Sequence, residues 1–160
     1  MRSVRLRSGL ALVLVTTTFA LVGDSSAATR ERDPYATRAS GFVVVVNDQN
    51  AVSAMSRAQV ARYFLKKISR WDSGAVAMPV DLPADSPVRV AFTRRVLAKS
   101  VSSVRAYWQQ QIFSGRDVPP PEKPSDDAVL EFVQVNPAAI AYVSPNVALP
   151  RGVRVLDVTD

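Results

Sequence analysis

The amino-acid sequence predicts a single layered α/β lobe, a mostly parallel mixed sheet flanked by helices. Three observations predict it. The run Phe42-Val43-Val44-Val45-Val46 is apolar at every position. Successive strand residues face opposite sides, so such a run suits a strand covered on both faces. Four serines, Ser56, Ser86, Ser100 and Ser125, each precede a stretch with apolar residues at helical spacing. Two more strand-like stretches, the apolar Ala139–Val143 and the valine-rich Val153–Val158, follow near the end of the chain. The resulting order is β-α-β-α-α-α-β-β, and strands separated by helical crossovers usually lie parallel.

The first residues of the 160-residue chain read as an export signal. Arg2, Arg5 and Arg7 precede an apolar run, Gly9 to Val22, and then the small residues Ser25-Ser26-Ala27-Ala28. Residues 1–27 are expected to be a cleaved signal peptide. The run is shorter than the roughly 20 residues of a membrane span, so no integral span is expected after cleavage. The chain has no cysteine, which excludes a lipid-anchored lipoprotein and leaves the periplasm or the exterior as destination. Residues 28–41 show no periodicity and are expected to be a flexible leader, and residues 42–158 form the domain. Removing residues 1–27 takes away three Arg and one Asp, and lowers the formal charge from +6 to +4. This mild, dispersed excess suits solubility and gives no nucleic-acid footprint.

Within the domain, Asn47-Asp48-Gln49-Asn50 ends the first strand as a turn. Ser56 and Gln59 have the spacing of a capping box. The helix they open gathers Val60, Ala61, Phe64 and Leu65 on one face, with Arg57, Arg62 and Lys66 opposite. Ala77-Met78-Pro79-Val80 is a short strand, and Asp81 to Asp85 lead into a helix capped by Ser86 with Pro87 at its first position. That helix is expected to bury Val88, Ala91, Phe92 and Val96 and to expose Arg89, Arg94, Arg95 and Lys99. The Ser100 helix carries Val101, Val104, Trp108 and Ile112 inward and stops at Phe113-Ser114-Gly115-Arg116. Residues 117–124 hold four prolines and read as an extended loop. The Ser125 helix turns Val129, Leu130 and Val133 inward.

With neither His nor Cys anywhere, the chain has no disulfide, no thiolate nucleophile, no Cys/His zinc set and no His-dependent triad. No nucleophile–base arrangement is visible, so no enzyme activity and no cofactor are expected. Asp81 and Asp85 supply fewer oxygens than a hard cation takes, and no metal site is expected.

Three clusters carry a resemblance. They are Phe64-Leu65-Lys66-Lys67-Ile68-Ser69-Arg70-Trp71, the joint from Ser86 to Phe92, and Asn136-Pro137-Ala138-Ala139-Ile140-Ala141-Tyr142-Val143. Together they resemble the phosphate-binding-protein family of ABC uptake systems, which has the type 2 periplasmic binding fold. The family's forms are Phe-x-Gly-Lys-x-x-x-Trp, Arg-x-x-x-Ser-Gly-Thr-x-x-x-Phe and Pro-Gly-Ala-Ile-Gly-Tyr-Val. The likeness runs over roughly residues 42–145. It implies one lobe of a fold whose full-length members hold the anion between two.

The resemblance also implies where a ligand would sit. Ser86-Pro87-Val88 stands in place of Ser-Gly-Thr, so Ser86 and Val88 are candidate ligand-binding residues and only Ser86 keeps the family's identity. Pro87 has no N–H to offer an anion. The family's Arg falls near Asp81, a third candidate, whose carboxylate repels an anion. Like charges ~4 Å apart cost about 4 kcal/mol at an effective dielectric of 20. Arg116, the fourth candidate, has the planar fork that suits an oxyanion.

The function implied is an exported phosphate or oxyanion substrate-binding-like protein, with an ABC permease or another envelope protein as partner. The alternative is an envelope interaction module that kept the lobe and docks through its basic helix face or proline-rich loop. Trp71, Tyr107 and Trp108 are expected in the core rather than on a stacking platform.

Overall fold

A computed structural model of the chain describes residues 41–160. The expected signal peptide (1–27) and the leader (28–41, apart from Gly41) lie outside the described residues. The chain runs β1 (Val43–Asn47), β2 (Ala54–Ser56), α1 (Arg57–Phe64), β3 (Met78–Pro79), α2 (Pro87–Arg95), α3 (Val101–Phe113), α4 (Asp126–Val135), β4 (Ala139–Val143), β5 (Val153–Val155) and β6 (Asp157–Thr159).

The main sheet has the order β3-β4-β1-β5. Strand β1 lies antiparallel to both neighbours, with Val44 opposite Tyr142 and Val46 opposite Arg154. Only β3 and β4 pair in parallel there. The sheet is therefore mixed and flanked by helices, but the expectation of a mostly parallel one is corrected. The all-apolar run Phe42–Val46 does reflect burial, since all five of its residues are buried. Burial on both faces does not fix the direction of a neighbouring strand.

A second, two-stranded parallel sheet joins β2 and β6. The three residues of β2 show no period of their own, and the sequence reading has no strand there. The expected last strand, Val153–Val158, is in fact two. Leu156 is fully buried and its N–H bonds Val44 O at 2.8 Å, after which Asp157 N–H bonds Ser53 O at 3.1 Å. The chain thus leaves the edge of β1 and pairs with β2.

The four caps stand where the serines predict them. Ser56 and Gln59 make the reciprocal capping box. Ser86, Ser100 and Ser125 each accept an N–H from the first turn of their helix. Asn47 does more than end β1. Buried at 1% exposure, its Nδ2 donates to Val133 O and Gln134 O, both at 2.9 Å, so it ties the last turn of α4 to the sheet.

Packing departs from the expected faces at two places. In α2, Arg89 and Thr93 are buried and Val90 is exposed. In α3, Val104 and Trp108 are buried but Ile112 is exposed. The three motif clusters meet in space. Phe64 of α1, Phe92 of α2 and Tyr142 of β4 form one aromatic cluster, with Phe92 and Tyr142 stacked at 3.9 Å. Phe42 closes it edge-on against Phe92 at 5.4 Å. Trp71 stacks on Tyr63 and donates Nε1–H to Ala138 O at 2.9 Å, joining the first cluster to the third. These residues clamp the helices to the sheet.

Lys66, at the first motif's glycine position, has φ +50°, the left-handed region that explains a glycine there. Its Nζ reaches Asp117 Oδ1 at 3.1 Å. No helix among the described residues is long and apolar enough to cross a membrane.

Candidate functional site

Beyond β3 the chain stays inside the protein for three residues. Val80, Asp81 and Leu82 are buried, and Asp81 N–H and C=O bond the backbone of Pro121 and Lys123 at 3.0 and 2.9 Å. The proline-rich loop thus forms a short parallel bridge to the end of the strand, Asp81 beside Glu122. Pro83, Ala84 and Asp85 then carry the chain to Ser86.

The Asp81 carboxylate faces inward. Its Oδ1 accepts from the Tyr142 hydroxyl and, at 3.2 Å, from Leu82 N–H. Its Oδ2 pairs with the Arg89 guanidinium at 3.0 Å. Arg89, at the third position of α2, also donates to Leu82 O and pairs with Glu122. Arg89 is only 7% exposed, so the expectation that it lies on a solvated basic face is corrected. A buried carboxylate draws the guanidinium inward because neither charge is stable there alone. Arg94, Arg95 and Lys99 remain exposed.

Burial pushes the Asp81 carboxyl above the usual carboxylate range, against the pull of Arg89, Tyr142 and Leu82. Burial, with the Asp81 charge and hydrogen bond beside it, pushes the Tyr142 hydroxyl well above its ordinary value of 10.0. A raised folded-state pKa contributes stability that is fully present below the unfolded value and is lost as pH rises beyond it. Tyr142 is therefore expected to make stability fall above about pH 10, by about 1.4 kcal/mol per pH unit. Denaturant titration from pH 9 to 11 measures the slope, and Tyr142→Phe is expected to flatten it.

Above this buried group lies an open cleft of about 580 Å³. Two helix N-termini face it: Ser86, Pro87 and Val88 from α2, and Ser125 and Asp126 from α4. Leu82, Pro83, Asp85, Pro124 and Ser144 complete the lining. Both helix ends present positive dipole ends and first-turn amides. The Ser86 and Ser125 hydroxyls accept from their own helices, at 3.4 and 3.3 Å, which leaves each O–H as a donor. Asp126 Oδ2 accepts from Ser144 N–H at 3.2 Å and so joins the start of α4 to the end of β4.

The four candidate residues are thus separated. Ser86 and Val88 line the cleft together, Asp81 lies beneath it with its carboxylate engaged, and Arg116 is an exposed residue after α3 that does not line it. Sequence reasoning missed the contribution of Ser125 and Ser144. The capping signal at Ser125 was visible, but only the fold brings the two helix starts together. It also missed Arg89 as partner of Asp81. Their eight-residue separation crosses a turn and fits no helical spacing.

No family model matches the chain, and no curated protein matches it in sequence. Solved structures do match. One is a candidate phosphate ABC transporter substrate-binding protein with bound phosphate from Clostridium perfringens, at TM-score 0.59 and 20% identity, over 74% of this chain and 44% of that one. A second is an ABC-type phosphate transport receptor from Vibrio cholerae, at TM-score 0.55 and 19% identity, over 74% and 46%. A third is a candidate phosphate-binding protein from Planctomyces limnophilus, at TM-score 0.53 and 15% identity, over 75% and 42%. The matched region spans less than half the length of each neighbour. At these identities the likeness establishes the fold, a mixed α/β sheet flanked by helices shared with substrate-binding proteins.

Proposed function

We propose that this chain is an exported, non-enzymatic substrate-binding-like protein of the phosphate or oxyanion uptake class, working in the periplasm or outside the cell beside an ABC permease. The carrying observation is the meeting of two serine-capped helix N-termini, α2 and α4, at one cleft. A small oxyanion there would accept the Ser86 and Ser125 hydroxyls and the Val88 amide, with both dipoles favouring its charge. The fold shared with the phosphate-binding neighbours supports phosphate as first ligand to test. Asp85 and Asp126 oppose it electrostatically, and Asp85→Asn is expected to tighten binding.

Calorimetric titration with inorganic phosphate tests this reading. Micromolar or tighter binding is expected, weakened about tenfold by Ser86→Ala, the loss of one hydrogen bond to a charged ligand. Arg116→Ala, away from the cleft, is expected to leave the affinity unchanged. Since Ser86 also caps α2, worth about 1 kcal/mol, the titration is run well below the melting midpoint. Silence at millimolar phosphate contradicts it.

A second reading has one observation in its favour. Among the described residues the cleft is lined by two carboxylates and no cation, with Arg89 held inside by Asp81. That pattern suits an envelope interaction module on a binding-protein lobe, and phosphate silence would favour it.

A further inference from the structure

The end of α3 presents apolar side chains to solvent. Phe113 is 91% exposed, Ile112 53% and Val118 58%. This is not a loose segment. Ser114 N–H bonds Gln110 O at 3.1 Å, Gly115 N–H bonds Ile112 O at 3.0 Å, and Arg116 N–H bonds Gln111 O at 3.0 Å. The Ser114 hydroxyl adds a bond to Gln110 O at 2.8 Å. The helix end is fixed, and Phe113 is held out in water, where its ring gains nothing.

Exposed cations flank this tip along the chain and across from it. Arg105 lies seven residues before Ile112, on the same helix face, and Arg116 follows four residues after it. Lys67 follows directly on the segment after α1 that meets α3, where Tyr107 of α3 donates to Leu65 O at 3.0 Å and Lys66 pairs with Asp117 at 3.1 Å. Lys67, Arg105 and Arg116 are exposed and form no ion pair among the described residues. Asp117, the acid of this stretch, is already matched by Lys66. The tip is therefore apolar at its point and positive around it.

We infer that the α3 end is a membrane-contact surface, with Phe113 and Ile112 entering the interface of a bilayer rich in anionic headgroups and Lys67, Arg105 and Arg116 resting on the phosphates. The charge pattern selects this occupant: an anionic bilayer offers apolar depth for a projecting ring and negative charge around it. The fixed helix end lowers the ordering cost of contact. This surface is separate from the α2/α4 cleft and does not depend on phosphate binding.

Phe113→Trp in the exported form, with the expected signal residues 1–27 removed, supplies a local reporter, because Trp71 and Trp108 are both buried, at 4% and 5% exposure. With vesicles of phosphatidylglycerol and brominated phosphatidylcholine, its emission is expected to shift to the blue and be quenched. With vesicles of brominated phosphatidylcholine alone it is expected to stay unquenched. Adding Lys67→Gln, Arg105→Gln and Arg116→Gln is expected to weaken the partition about a hundredfold, near fivefold per cation. No quenching by the anionic vesicles overturns the inference, as does equal quenching by neutral ones. A blue shift without lipid that grows with protein concentration would assign the tip to a second copy and also overturn it.

Discussion

Arg89→Ala is expected to lower the stability at pH 7 by about 3–5 kcal/mol, the usual effect of removing one partner from a buried ion pair. The substitution leaves the 8%-exposed Asp81 carboxylate without its cation, beside Tyr142 and under a loop that excludes water. It also frees Leu82 O and Glu122 from the guanidinium that joins them. The loss is comparable with the whole stability of a domain at the weaker end of the usual range. Its pH dependence separates charge from packing. Without Arg89 the Asp81 carboxyl rises further, so the variant keeps Asp81's contribution below the unfolded value near 3.9 and loses it as pH rises through the folded one. Urea unfolding at pH 4.5 and 7 is expected to show the larger deficit at pH 7. Equal deficits would mean that Arg89 acts by volume alone.

Phe92→Ala is expected to cost about 3–5 kcal/mol, the range for truncating a buried aromatic. Phe92 is 1% exposed and touches Phe42, Phe64 and Tyr142, so it is the hub through which α1 and α2 hold the sheet. Truncation leaves a cavity walled by rings on separate elements, which cannot all close on it. Guanidinium unfolding measures the loss, and Phe92→Leu is expected to recover much of it. A change under 1 kcal/mol would show that the helices are held elsewhere.

The two variants also explain what the sequence made legible. Phe64, Phe92 and Tyr142 are the residues by which the three motif clusters are recognised, and they are core residues in mutual contact. The resemblance was therefore a reading of packing, which is why fold was visible at low identity. The four serine caps were legible for a similar reason, since a cap is settled within four residues of chain. Strand direction was not, because Val43–Val46 is apolar on both faces whichever way its neighbours run. Nor was the split at Leu156, which depends on Val44 O and Ser53 O, both about a hundred residues away.

The site was legible by halves. Ser86 announced its helix start, and the fold places Ser125 and Ser144 beside it. Asp81 stood in the loop where a ligand is expected, yet its charge serves the interior. Only the contact with Arg89 and Tyr142 separates a liganding carboxylate from one that fastens a strand to a helix.

Amide resonances followed during titration with inorganic phosphate test most directly whether the α2/α4 cleft is the ligand surface. Shifts concentrated at Ser86, Val88, Ser125 and Ser144, saturating in the micromolar range and reduced in Ser86→Ala, are predicted. An unchanged spectrum at millimolar phosphate, or shifts gathered around Arg116, would contradict it.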